Sequence, residues 1–252
     1  MNRWLPRAVA ALLALVIVAS MSVTTALGAT GDRSLVSASQ LTQRPFRGIA
    51  LVSVGDRVVC TGFIVGKRKV VTAAHCLTRD ASKGNYRFRP AVPGNIRIFR
   101  AYSRIRGGTR HRICGVSKAW AHPKFIKRDS SDTQFGSRAH DYAVLTTKPG
   151  CTYPSSAYMR MWATQASDGQ LRPGQRSKLA GYPADPRYPG MNGLNMWRAQ
   201  GRLQPDGSDT RLINTTGFVA QGMSGGPLWR SFAKDSPCNR SQCVIGIVTE
   251  CE

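Results

Sequence analysis

Acid is scarce in this sequence. Against 36 Lys and Arg stand 13 Asp and Glu, a formal net charge of +23, and the two glutamates, Glu250 and Glu252, both sit at the C-terminal end. The scarcity is sharpest over residues 81–128, which hold thirteen Lys or Arg and no acid. Such a surface draws polyanions, whether acidic polymers, nucleic acid or acidic substrates. No nucleic-acid motif accompanies it, and the plainer expectation from charge alone is a solvated, highly soluble face. Also missing is a long apolar run. AVAALLALVIVA, at 8–19, is too short for a comfortable membrane span. It follows Arg3 and Arg7 and leads into small residues at Gly28 and Ala29, so residues 1–29 read as a secretion signal. Removing those two arginines leaves a mature chain near +21 and no membrane span. No internal repeat, no heptad and no sustained 3.6-residue period is visible, which sets aside solenoids, coiled coils and helical bundles.

What is present is a chain of 252 residues, 42% hydrophobic and 19% charged, enough to bury a core. Residues 30–46 are polar and read as a propeptide or flexible N-terminal arm. From residue 48 the pattern is short apolar segments punctuated by Gly and Pro. GIALVSV (48–54) and RVVCTGFIV (57–65) flank Gly55-Asp56, a tight hairpin signal, and KVVTAAHC (69–76) follows. NIRIFRAYSRIR, ICGVSKAWAHP, YAVLTT, RSKLAGYP, LNMWRAQGRLQ, TRLINTTG, GPLWRSF and QCVIGIVTE continue the series. Many short strands between turn signals predict an all-β protein, a sandwich or barrel. Residues 149–175, rich in Pro, Ser and Gly, fit a crossover between two halves.

Three places carry chemistry. His75 follows two β-branched residues and two alanines, and Cys76 beside it can close a loop back to Cys60 with fifteen residues between them. A loop of that size is worth about 3 kcal/mol in the chain-entropy view. Asp141 opens HDYAVLTT, where a carboxylate before a buried strand is costly unless paired, and an imidazole N–H suits it. Asp129 and Asp132 compete for that role from a polar loop where they can stay hydrated. Ser224 lies in GMSGGP, whose glycines let successive N–H groups converge. The N–H groups of Gly222 and Ser224 are the oxyanion-hole candidates. A hydroxyl, a base, an orienting carboxylate and an oxyanion site are what acyl transfer by serine needs. His111, His122 and His140 have no metal-ligand spacing, and neither metal nor cofactor is expected. Asn214 and Asn239 head N-x-S/T sequons.

TAAHC with its upstream cysteine, then DYAVL, then GxSGGPL, in that order, resemble the chymotrypsin/trypsin-like serine endopeptidases over roughly 46–252. CTGFIV and AHPKF (121–125) match further family segments. The resemblance implies two packed antiparallel β-barrels with the site between them. It places the first barrel at 47–155 with His75 as general base and Asp141 as orienting carboxylate. The second, at 156–252, holds Ser224 as nucleophile. It also implies a monomeric, secreted enzyme acting on proteins or peptides. Within this fold Cys114 and Cys151 meet if their strands are antiparallel neighbours, and Cys238 and Cys243 pair across a hairpin turn. Of the seven cysteines Cys251 remains, either as the unpaired thiol or as a partner that displaces Cys238 or Cys243 in a bridge.

The sequence also departs from the family. Met223 stands where many members activated by cleavage have an aspartate that pairs with a new N-terminal amine, so that ion pair is excluded. The glutamyl-endopeptidase-like branch shares this lack. Phe218 holds the position at the base of the specificity pocket and Ala220 replaces a framing cysteine, which removes support for Lys or Arg specificity. Gln221 and Thr249 complete the expected substrate-binding set, Thr249 standing where the family has a hydroxyl supporting the triad carboxylate. The C-terminus is short of the family's last strand and helix. That shortening and the charge motivate an alternative: a catalytically weak protease-fold cationic binding protein.

Overall fold

A computed structural model describes residues 32–55, 58–77, 92–104, 113–126, 139–162, 171–205, 212–232, 238 and 242–249. Among the described residues thirteen strands run β1 (Arg33–Leu35), β2 (Ile49–Val54), β3 (Val58–Gly66), β4 (Lys69–Thr72), β5 (Ile96–Arg100), β6 (Ile113–Ala121), β7 (Ala143–Thr147), β8 (Arg160–Met161), β9 (Arg176–Gly181), β10 (Trp197–Pro205), β11 (Ile213–Thr215), β12 (Pro227–Ser231) and β13 (Gln242–Ile247). Among the described residues helix is confined to single turns such as α1 (Ala38–Leu41) and α2 (Pro123–Ile126). None of the helices among the described residues is long and apolar enough to cross a membrane.

β2, β3, β4, β7, β6 and β5 close into an antiparallel barrel in that order. The second half is a sheet in the order β1-β10-β9-β12-β13-β8, with β11 on β10 and only the β8–β13 pair parallel. This barrel-plus-sheet, all-β architecture is the chymotrypsin-like one expected. Among the described residues the second sheet is an open path rather than a closed ring.

The apolar run that opens β2, Ile49 to Val52, now has a cause. Successive side chains of a strand face opposite ways. Ala50, Val52 and Val54 fill the barrel interior, while Ile49 and Leu51 join Phe63, Val71, Tyr182 and Trp229 in a second core cluster formed by residues of both halves. Both faces are dry, so no polar alternation survives in the sequence. The second sheet repeats the device. Ala180, Trp229 and Val244 face that shared core, and Leu179, Leu228 and Ile245 face a third cluster with Phe218, Ala220 and Met223. The hairpin expected at Gly55-Asp56 has three residues between its strands, with Val54 opposite Val58 and Gly55 at φ +59°.

The described part of the N-terminal arm packs onto the rest of the fold. β1 pairs with β10 from Arg33–Ala199 to Leu35–Trp197, Ser37 and Gln40 form a capping box on α1, and Val36, Leu41 and Phe46 are buried in the shared core. Three apolar anchors spread over eleven residues leave the segment polar in composition, which is why its sequence reads as an arm. The crossover likewise contributes structure, since β8 lies beside β13 and Met159 N–H donates to Ile64 O at 2.8 Å. Three disulfides, Cys60–Cys76, Cys114–Cys151 and Cys238–Cys243, are formed as expected. Cys251 lies outside the described residues.

Candidate active site

β4 ends at Thr72, and two fully buried alanines, Ala73 and Ala74, lead into a 3-10 turn, His75–Leu77. The disulfide of Cys76 to Cys60 on β3 ties the turn to the barrel. Asp141 stands two residues before β7, which pairs with β4. The carboxylate is buried and accepts twice from one residue. His75 N–H donates to Oδ1 at 2.8 Å and Nδ1–H to Oδ2 at 2.6 Å. The imidazole keeps 37% of its side chain exposed, against 6% for the aspartate. With the proton held on Nδ1, Nε2 is the basic nitrogen of the ring. The backbone donor is invisible in the sequence; it lets the carboxylate be buried without losing its hydrogen bonds.

Ser224 lies in the turn that leads into β12, and its neighbourhood is built from the barrel side. Thr61 N–H donates to Ser224 O at 2.8 Å, and that oxygen lies 3.8 Å from Cys76 Sγ, beside His75. Gly225, at φ +82°, presses against Thr61 O, Thr72 Oγ1 and Ala73 N so closely that no Cβ fits. The turn before β12 is thus seated on the strand end that carries His75. Within the turn, Gln221 O accepts from Ala184 N–H at 2.6 Å and Met223 O from Gly226 N–H at 2.9 Å. A trans peptide points its carbonyl and its N–H in opposite directions. Pinning these two carbonyls therefore turns the Gly222 and Ser224 N–H groups the other way, and neither finds a backbone acceptor among the described residues. Met223 N–H and Gly225 N–H, by contrast, donate to Ala220 O and Val248 O. The Met223 side chain is fully buried in the third cluster.

The remaining candidates divide. Gln221 is exposed at the turn. Phe218 is buried, with the Tyr188 ring edge-on at 5.0 Å and the Arg33 guanidinium 4.3 Å over its face. Thr249 lines one cleft with Asp141, Tyr142 and β13, but no hydrogen bond joins it to Asp141. The hydroxyl support expected from Thr249 is thus absent, and His75 N–H supplies the second donor to the carboxylate. His122 and His140 stack near Tyr142 with ring centres 4.6 Å apart. Burial, then His140 and Lys124, lower the pKa of His122. His111, Asp129, Asp132, Asn239, Glu250 and Glu252 lie outside the described residues, as does much of the basic stretch 81–128. Among the described residues, Cys60, His75 and Cys76 bring potential metal-ligand atoms within 4.8 Å, but the two sulfurs are bonded to each other.

The loop that holds Gln221 has its own lock. Arg187 donates from Nε to Asp185 Oδ1 at 3.0 Å and from Nη2 to Oδ2 at 2.8 Å, and Asp185 N–H donates to Met191 O. The Arg187 hydrogen bonds hold the Asp185 carboxyl below the usual aspartate range, against the opposing effect of burial. A carboxyl with a depressed folded pKa lends stability above its unfolded pKa and loses it as pH falls through the folded value. Arg187 is 66% exposed, so solvent screens the pair and the contribution is modest. The Tm advantage of wild type over Asp185→Asn is expected to stay level from about pH 7 to about pH 5 and then to shrink as pH falls from about 5 to about 2. An advantage constant across that range in thermal melts would contradict it.

A search of curated proteins returns no match to this chain. Among solved structures, a Glu endopeptidase in complex with MPD is similar, with a TM-score of 0.61 and 19% identity over 87% of this chain and 84% of that one. At that identity the likeness is one of fold, and it spans both the barrel and the second sheet. The model of the trypsin-like peptidase domain matches residues 60–232, from the cysteine that anchors the His75 turn to the strand that follows Ser224. This chain belongs to the trypsin-like peptidase family.

Proposed function

We propose that the protein is a secreted serine endopeptidase that cleaves peptide bonds through an acyl-enzyme on Ser224. Ser224 Oγ attacks the scissile carbonyl and gives its proton to His75 Nε2. The negative charge that develops on the carbonyl oxygen is met by Gly222 N–H and Ser224 N–H. The imidazolium returns its proton to the departing amine, and the peptide C–N bond breaks. Water then attacks the ester, its proton passing to Nε2 and back to Ser224 Oγ as the acid leaves. Asp141 holds the Nδ1–H tautomer throughout and offsets the charge of the imidazolium.

The observation that carries the reading is the twofold grip of buried Asp141 on half-exposed His75, at 2.8 and 2.6 Å. A structural histidine needs no orientation of this kind. A cationic binding protein has no use for a carboxylate buried to fix one imidazole tautomer, so the binding reading is disfavoured. The three disulfides suit an oxidising, extracellular setting. An apolar Phe218 at the pocket position gives no carboxylate for a Lys or Arg side chain. The mature chain's net charge, near +21 once Arg3 and Arg7 are removed, steers acidic substrates toward the enzyme, an effect on encounter that salt screens.

Labelling of the purified mature protein with a fluorophosphonate probe tests this. Wild type is expected to label, Ser224→Ala not at all, and His75→Ala far more slowly. No labelling of correctly folded wild type would sink the enzyme reading; labelling that survives Ser224→Ala would sink the choice of nucleophile.

A further inference from the structure

Thr61, in β3 of the barrel, is fully buried, and each of its polar atoms is committed. Its N–H donates to Ser224 O at 2.8 Å, and its hydroxyl donates to Gly222 O at 2.8 Å. The same hydroxyl accepts from Tyr182 N–H at 2.9 Å, just beyond the end of β9. Its carbonyl accepts from Thr72 Oγ1 at 2.7 Å. One residue of the first half therefore holds two alternate carbonyls of the turn before β12. Those carbonyls belong to the peptide planes on either side of the plane that carries the Ser224 N–H. The Gly222 carbonyl leaves the same Cα as the Gly222 N–H, so fixing the former limits rotation of the latter.

We propose that Thr61 is a positioning residue that aims the Gly222 and Ser224 N–H groups at the developing oxyanion. It replaces, with two uncharged hydrogen bonds, the ion pair that an aspartate at position 223 would have made. The inference rests on the serine-peptidase reading. The hydroxyl must donate to Gly222 O and accept from Tyr182 N–H at once, and a buried hydroxyl has that donor and those acceptor sites. The charge state of an N-terminus does not enter, so the oxyanion site forms with the fold.

The test compares Thr61→Val and Thr61→Ser with wild type, on peptide turnover and on inhibition by a peptide aldehyde, whose hemiacetal oxygen mimics the oxyanion. Thr61→Val keeps the shape and the backbone N–H but loses the hydroxyl. It is expected to lower kcat about 100-fold, the scale of losing one oxyanion donor, with KM within about threefold, because substrate binding precedes the charge. Aldehyde affinity should fall in step with kcat, while affinity for the product acid stays near wild type. Thr61→Ser, which restores the hydroxyl, should recover kcat to within about fivefold. Should Thr61→Val not fold, Thr61→Ala is read in the same way, since its smaller side chain leaves room for a water at the two orphaned partners. Folded Thr61→Val with unchanged kcat, aldehyde affinity that does not move, or Thr61→Ser as impaired as Thr61→Val would each overturn the proposal. Wild type that neither labels nor turns over would overturn the serine-peptidase reading itself.

Discussion

Asp141→Asn is expected to lower kcat about 10⁴-fold, the scale of loss when an imidazole is held in the wrong tautomer, while the barrel and its disulfides remain intact. The reason lies in the two donors that the carboxylate faces. The His75 backbone N–H, at 2.8 Å from Oδ1, can only donate. An asparagine must therefore turn its carbonyl oxygen toward it, which leaves the NH₂ facing Nδ1, where Oδ2 accepted at 2.6 Å. Nδ1 then has to accept, so the ring proton moves to Nε2, the nitrogen that should take the proton of Ser224. The substitution is nearly isosteric and removes a buried charge, so little stability should be lost. Steady-state turnover of a peptide and the rate of fluorophosphonate labelling measure the effect. A kcat within tenfold of wild type would show that the tautomer set by Asp141 does not matter, and the proposed mechanism would fall.

Gly225→Ala is expected to damage both fold and activity. At φ +82° a non-glycine residue costs about 1–2 kcal/mol. The added Cβ also lands on Thr61 O, Thr72 Oγ1 and Ala73 N, two of them backbone atoms that cannot swing aside. Overpacking of this kind costs about 1–3 kcal/mol more. For a chain of this size the sum corresponds to a Tm lower by roughly 10 °C. Relief would come from lifting the turn off the barrel, which carries Ser224 away from His75; a displacement near 1 Å is enough for about 100-fold in rate. Gly55→Ala is the matched control. Gly55 is also left-handed, at φ +59°, but nothing lies within 4 Å of the position its Cβ would take. It should lose about 1–2 kcal/mol and no activity. Equal effects of the two substitutions on kcat would show that contact with the barrel is unimportant at Gly225.

The two largest effects fall on residues that are legible in the sequence, while the groups that support them are not. Taken singly, His75 in its small-residue turn and Asp141 before its strand read as structural; it is their order with GxSGGPL, which resembles the family's, that makes them legible. The glycines around Ser224 are a local signal, since a tight turn demands them. Thr61 is not legible in that way. A threonine in a strand is ordinary, and its role is fixed by Gly222, 161 residues further along the chain. The same holds for the second donor to Asp141, which is a backbone N–H and carries no side-chain signature. The N-terminal arm is obscured by dilution: Val36, Leu41 and Phe46 are buried, but the residues between them are mostly polar. Thr249 shows the opposite error, in which a family position implies a hydrogen bond that this chain makes differently. Contacts between residues distant in sequence decide these cases, and periodicity reports only on neighbours.

β1 and β8 belong to the second sheet, yet both precede the strands that make up its body. A polypeptide divided after Trp162 would therefore yield two fragments that each lack something held by the other. The N-terminal fragment would carry the whole barrel and two borrowed edge strands, with Val36, Leu41 and Phe46 deprived of Trp229 and Tyr182. The C-terminal fragment would carry Ser224 without the Thr61 that seats it. Co-expressed, the two fragments should complement one another, since each borrowed strand marks where its partner must dock.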